Sequence, residues 1–119
     1  MTNSNATPDL ASTLRFAGGV HDRERDHVLE VLAPLAKHLA RWDADDIDLQ
    51  LSVKDRGGPE QRVTLEAKLG GFPTLVATGT DPDFDRALHE ARKELIRQID
   101  DERSRRVPKD NRKLRQKLE

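Results

Sequence analysis

The sequence predicts an α+β domain of order β-α-β-β-β-α, with two helices packed on one face of a four-stranded sheet. Two segments, 47–54 and 62–69, alternate apolar and polar residues with the period of a half-buried strand. Two others, 28–42 and 84–99, repeat apolar residues at helical spacing. Gly-Gly pairs fall between the periodic segments and not inside them. One apolar face per strand and one apolar stripe per helix are buried together when both helices cover the same side of a single sheet.

Residues 1–12 are small and polar and are expected to form a disordered tail. The domain proper is expected over 13–106, followed by a basic tail over 107–119. Thr13 to Phe16 reads as a short strand with Leu14 and Phe16 on one face, ended by Gly18-Gly19. The first helix starts near Asp22, a suitable N-cap. Its stripe is Val28, Val31, Leu32, Leu35, Leu39 and Trp42. Pro34 lies inside that stripe and removes a backbone hydrogen bond, which predicts a kink or a break. The run Asp43 to Asp46 is expected to end the helix, because acids at a helix C-terminus oppose its dipole.

Ile47, Leu49, Leu51 and Val53 then form the apolar face of a second strand, and Val63, Leu65, Ala67 and Leu69 that of a third. Gly57-Gly58-Pro59 and Gly70-Gly71 supply hairpin turns, and a fourth strand runs from about Thr74 to Gly79. The last helix has Asp81 as cap, Pro82 as first residue, and Asp83 and Asp85 at the positive end of the dipole. Phe84, Leu88, Ala91, Leu95 and Ile99 are its buried line, and Pro108 is predicted to stop it. The first βαβ step predicts a right-handed crossover with the first two strands parallel. The outer sheet face then carries Asp48, Gln50, Ser52, Lys54, Arg62, Thr64, Glu66 and Lys68, and is wet.

A chain of 119 residues supports one domain of this size. Cysteine is absent, which excludes disulfides and thiol chemistry. No apolar run approaches membrane-spanning length, and the opening MTNSNATPDLASTL lacks the basic start and apolar stretch of a signal peptide. The expected location is therefore cytoplasmic, with no membrane partner. His21, His27, His38 and His89 show no metal-ligand spacing. DPDFDRALHEAR opens like a calcium loop but has Arg86 in place of the required Gly and Arg92 in place of the bidentate Glu. No nucleophile has a base at recognisable spacing. The expectation is a protein that is not an enzyme, with no cofactor and no small-molecule substrate.

The charge is uneven. Residues 1–101 hold 13 Lys/Arg against 19 Asp/Glu, a net of −6, whereas residues 102–119 hold 8 against 3, a net of +5. Such asymmetry marks either a polyanion-binding arm or a solvated terminus. On the last helix Arg86, Lys93 and Arg97 fall on one outward line, with Glu90 and Asp101 beside it. Beyond Ile99 come Arg103, Arg105 and Arg106 and further cations to Lys117, while Lys37 and Arg41 form a pair on the first helix. A solvated salt-bridge stripe competes with a phosphate-binding surface as the reading of this pattern. Few exposed aromatics are available to stack on bases, which favours recognition of shape and phosphate over single-strand reading.

The residues resemble the ribosome hibernation-promoting factors, also called ribosome-associated inhibitor or sigma-54-modulation proteins, in their short form. VATGTDPDFDRALHEARKELIRQI, 76–99, is similar to that family's last strand, Gly-x-Asp turn and final helix. LAKHLARW, 35–42, resembles the end of its first helix, and DIDLQLSV, 46–53, its second strand; the resemblance covers roughly Leu14 to Arg106. It implies a non-enzymatic dormancy factor, monomeric when free, that binds ribosomal RNA of the small subunit in the mRNA and tRNA channel and blocks translation under stress. The contacts it implies are Lys37 and Arg41 on the first helix, and Arg92, Lys93, Arg97, Arg103, Arg105 and Arg106 on the last. Two other readings stand beside it. One is a double-stranded RNA-binding domain, disfavoured by acids at the start of the last helix. The other is a protein-interaction module with a solvated basic tail.

Overall fold

The computed structural model describes the backbone of residues 10–118 and the side chains of residues 10–105. Its sheet has the order β1-β2-β3-β4, from β1 (Leu14–Gly18), β2 (Ile47–Lys54), β3 (Arg62–Leu69) and β4 (Leu75–Thr80). β1 and β2 are parallel; β2 with β3 and β3 with β4 are antiparallel. The helical elements are a turn, α1 (Leu10–Thr13), a broken first helix, α2 (Arg25–Leu32) and α3 (Leu35–His38), and the long α4 (Phe84–Leu118). α4 lies on β3 and β4, and α2 and α3 pack against α4. The expected order and layering hold, with both helical layers on one face.

The core follows the predicted pattern. Leu49, Leu51, Val63, Leu65 and Ala77 from the sheet meet Val28, Leu32, Leu35 and Leu39 from the first helix and Leu88, Ala91, Leu95 and Ile99 from α4. All are essentially inaccessible to water, and each such Val, Leu or Ile side chain contributes about 1.5–3 kcal/mol. On the outer face Lys54, Arg62 and Lys68 are exposed. Gly57 and Gly71 adopt φ of 84° and 85° at the two hairpin turns, the left-handed region that glycine enters without steric cost.

Several boundaries differ from expectation, each for a local reason. Residues 1–9 of the expected tail lie outside the described residues. Leu10–Thr13, placed by sequence in the tail and the strand start, is a helical turn because Leu10 has a place in the core. The Thr13 hydroxyl donates to the Leu10 carbonyl at 3.4 Å. The first helix does not start on Asp22 as cap. Asp22–Glu24 form a 3-10 turn in which the Glu24 carboxylate turns back to accept the His21 N–H at 3.0 Å, and α2 begins at Arg25. Pro34 breaks the helix as predicted; the Glu30 carbonyl, denied a donor at Pro34, accepts the Ala33 N–H at 3.3 Å. The acids Asp43 to Asp46 do not cap that helix, which ends at His38; they lead through a 3-10 turn, Ala44–Asp46, into β2.

The cap of α4 is Asp83 and not Asp81. The Asp83 carboxylate accepts the N–H groups of Asp85 and Arg86, at 2.9 and 3.3 Å. Asp81 and Pro82 are held outside the helix because the buried amide of Gln61 donates to both of their carbonyls, at 3.1 and 3.0 Å. Pro108 does not stop α4, which runs 35 residues. The segment around it is rich in Arg, Lys, Leu and Gln, all strong helix formers, so the helix continues past the one carbonyl that Pro108 leaves without a donor.

Candidate nucleic-acid interface

The 3.6-residue period that buries Leu88, Ala91, Leu95 and Ile99 sends Arg86, Lys93 and Arg97 to the opposite, exposed side of α4. The three differ in their surroundings. Arg86 and Lys93 have neither an ion pair nor a side-chain hydrogen bond among the described residues. Both edge a hollow shared with Asp81, His89 and Glu90, and Lys93 also lines a groove between α4 and the free edge of β4, together with Glu90, Glu94, Arg97 and Asp100. Arg97 lies between two acids: its guanidinium grips both oxygens of Glu94 and reaches Asp101 at 2.7 Å. The hydrogen bonds from Arg97, and next from Gln98, hold the Glu94 carboxyl below the usual range. The same bond to Glu94 raises Arg97. Arg97 is a cation with much of its field already offset.

The other nominated arginines of α4 are also engaged. Arg103 lies 3.6 Å from Asp100, whose carboxylate also stands 3.5 Å from His38 of α3. Arg105 bonds Glu102 at 2.9 Å. Arg92 turns inward: its Nη1 donates to the Val31 carbonyl at 2.7 Å, and its buried Nε has no partner. The side chain of Arg106 lies outside the described residues. Lys37 is exposed near the end of α3 and has no ion pair among the described residues, whereas Arg41, expected on the first helix, lies in the turn that follows α3 because the helix ends at His38; its guanidinium stands over the Trp42 ring, 5.9 Å from the centroid. Trp42 is anchored by its indole N–H on the Gly70 carbonyl at 2.9 Å and by an edge-to-face contact with Phe72.

The sequence therefore brings Arg86 and Lys93 together as free cations, spaces Lys37 and Arg41 at the other helical layer, and ties Arg97, Arg103 and Arg105 to acids three or four residues away. Two exposed cations on the sheet, Lys54 and Arg62, were not singled out by sequence spacing. Register across the hairpin places them opposite each other, which counting outward from the Gly57-Gly58 turn would have revealed. Among the described residues no group of three or more His, Asp or Glu is placed to hold a metal ion. None of the described helices is long and apolar enough to cross a membrane.

Fold and surface together define a small α+β domain whose last helix presents cations beside the open edge of a mixed four-stranded sheet. No family model matches the sequence, and no curated protein matches it. Solved structures do match. A ribosomal subunit interface protein from Coxiella burnetii aligns with a TM-score of 0.57 at 17% identity, over 76% of this chain and 97% of that one. The N-terminal domain of Protein Y from Thermus thermophilus aligns with a TM-score of 0.54 at 22% identity, over 71% and 91%. Both are of the hibernation-promoting factor family that the sequence resembles, and at these identities the likeness is one of fold.

Proposed function

We propose that this protein is a ribosome-binding dormancy factor: a cytoplasmic monomer that seats on RNA of the small subunit, in the mRNA and tRNA channel, and blocks translation under stress. The observation that carries the reading is the coincidence of this fold with an exposed line of cations on α4. The neighbours in fold include a protein named for the ribosomal subunit interface. Arg86 and Lys93 are exposed and have no ion pair among the described residues, and each such group that meets a phosphate releases a counterion. The action is steric and electrostatic and needs no bond chemistry. Lys37, Arg41, Arg103, Arg105 and Arg106 extend the proposed contact, and Arg97 joins it by exchanging its acids for phosphate. Arg92 belongs to the proposed site through its position on α4, where it supports the helix from beneath.

Sedimentation with purified small subunits tests this. Co-migration at low salt that vanishes at high salt is expected, and Lys93→Glu should weaken it more than Arg97→Glu, because Arg97 is already paired. A chain that never co-migrates at low ionic strength overturns the proposal. Preference for a bare RNA duplex would favour the double-stranded RNA-binding reading. That reading has less support, since Asp81, Asp83 and Asp85 occupy the start of α4 where phosphate-gripping cations would be needed.

A further inference from the structure

Lys54 of β2 and Arg62 of β3 are directly opposed on the outer sheet face. Like charges at opposed positions repel and weaken a strand pair. Neither side chain has an ion pair or a hydrogen bond among the described residues. At the other end of the same face the corresponding problem is solved: Arg15 donates twice to the Asp48 carboxylate, at 3.0 and 3.1 Å. Stability alone gives no reason for the Lys54–Arg62 pair.

Its surroundings suggest one. Arg62 stands opposite Thr80 of β4, and Thr80 borders the groove that Lys93 lines, next to the hollow shared by Lys93 and Arg86. Four cations without acid partners thus follow one another around the free edge of β4, from the sheet face to α4. Acids border this path too: Glu90, Glu94 and Asp100 line the groove. Glu94 is held by Arg97, Asp100 stands beside Arg103 and His38, and Glu90 accepts the Thr80 N–H at 3.2 Å; among the described residues none of them pairs with Lys54, Arg62, Arg86 or Lys93. Phe16, Trp42, Phe72 and Phe84 are packed against the core, so the path offers charge and hydroxyls and no stacking platform for bases.

We propose that Lys54 and Arg62, with Thr80, form a phosphate-contact patch on the outer sheet face, continuous around the β4 edge with Lys93 and Arg86. A phosphodiester backbone of structured RNA crosses the edge there. The identity of the RNA rests on the ribosome-binding reading; the patch itself rests on the register of β2, β3 and β4.

The test measures binding of the full chain to purified small ribosomal subunits over about 50 to 300 mM salt, for the wild type, Lys54→Gln/Arg62→Gln, and Lys68→Gln. Lys68 is on the same face but opposite Asp48, at the far end. Loss of two phosphate contacts should lower the slope of log affinity against log salt by roughly 1.5 to 2, and the affinity about tenfold at about 0.1 M salt. The double variant should melt at the same temperature as the wild type or higher, since a repulsion has been removed, and Lys68→Gln should match the wild-type slope. Wild-type binding with an unchanged slope in the double variant overturns the patch and leaves the ribosome reading intact. Absence of wild-type binding overturns both. A lowered melting temperature in the double variant, or an equal loss of slope in Lys68→Gln, also overturns the patch: the cations would then serve the fold, or only net charge would matter.

Discussion

Gly79 is the point at which α4 comes closest to the sheet. A Cβ built there would sit 2.1 Å from the Ala87 carbonyl oxygen and 2.8 Å from the Ala91 nitrogen, both backbone atoms that cannot swing aside. Glycine inside a strand commonly marks such an approach of a second backbone. Gly79→Ala is expected to cost about 3 kcal/mol in urea unfolding, at the upper end of overpacking effects, because α4 must lift off β4. Glu24 is a second single-residue control point. Its carboxylate accepts both prongs of Arg56, at 2.9 and 2.7 Å, and the His21 N–H. The hydrogen bond from Arg56 does most to bring its pKa down to about 2 from 4.5. A carboxyl with a depressed folded-state pKa contributes stability that is present above the unfolded value and lost as pH falls through the folded one. Glu24→Gln should therefore lower stability by about 1.5–3 kcal/mol at neutral pH. The gap from wild type should narrow between pH 4.5 and about 2, as melting curves over that range will show; a constant gap would contradict the assignment.

The broken first helix shows how elements depend on partners distant in sequence. Pro34 disrupts the last turn of α2, and the Val31 carbonyl in that turn is met by Arg92 of α4. Arg92→Gln is expected to destabilise the domain by about 1–3 kcal/mol, the range for a buried acceptor left unsatisfied. Its subunit affinity should match wild type where the variant remains folded, in contrast to Lys93→Glu; a large loss of affinity with full stability would restore Arg92 as a direct contact. This arrangement marks the limit of what was legible in the chain. The strict alternation of 47–54 and 62–69 and the stripe of α4 dictated strands, helix and core, because local period alone decides which face is apolar. The break at Pro34 was legible for a similarly local reason. The role of Arg92 was not, since its acceptor lies 61 residues away. The α4 cap was displaced by another long-range bond, from Gln61 to the carbonyls of Asp81 and Pro82. The pairing of Arg97 with Glu94 and Asp101 follows from helical spacing. The freedom of Lys93 required the packed structure, whereas the opposition of Lys54 to Arg62 lay within reach of a count outward from the Gly57-Gly58 turn.

At the scale of the molecule, opposite charges are separated along the chain: −6 over residues 1–101 and +5 over residues 102–119. Among the residues whose side chains are described, the last buried positions of α4 are Ile99 and Glu102, and Arg103 and Arg105 beyond them are not buried. If the core ends there, folding and polyanion attraction can be varied separately. Deleting residues 107–119 removes Lys109, Arg112, Lys113, Arg115 and Lys117 against Asp110 and Glu119, and takes the net charge of the chain from −1 to −4 (a loss of five cations and two acids). If the core is already complete at Glu102, such a deletion should change stability by about 0.5 kcal/mol or less, a shift in melting temperature of at most about 4 °C. If the five cations meet phosphates, subunit affinity should fall more than about tenfold at moderate salt and the salt slope should flatten by several units. If the shortened chain binds as tightly as the full one with the same slope, those residues are a solvated terminus, and recognition rests on the cations of the folded domain. The two outcomes separate an electrostatic arm from a rigid docking face, which composition alone leaves equivalent.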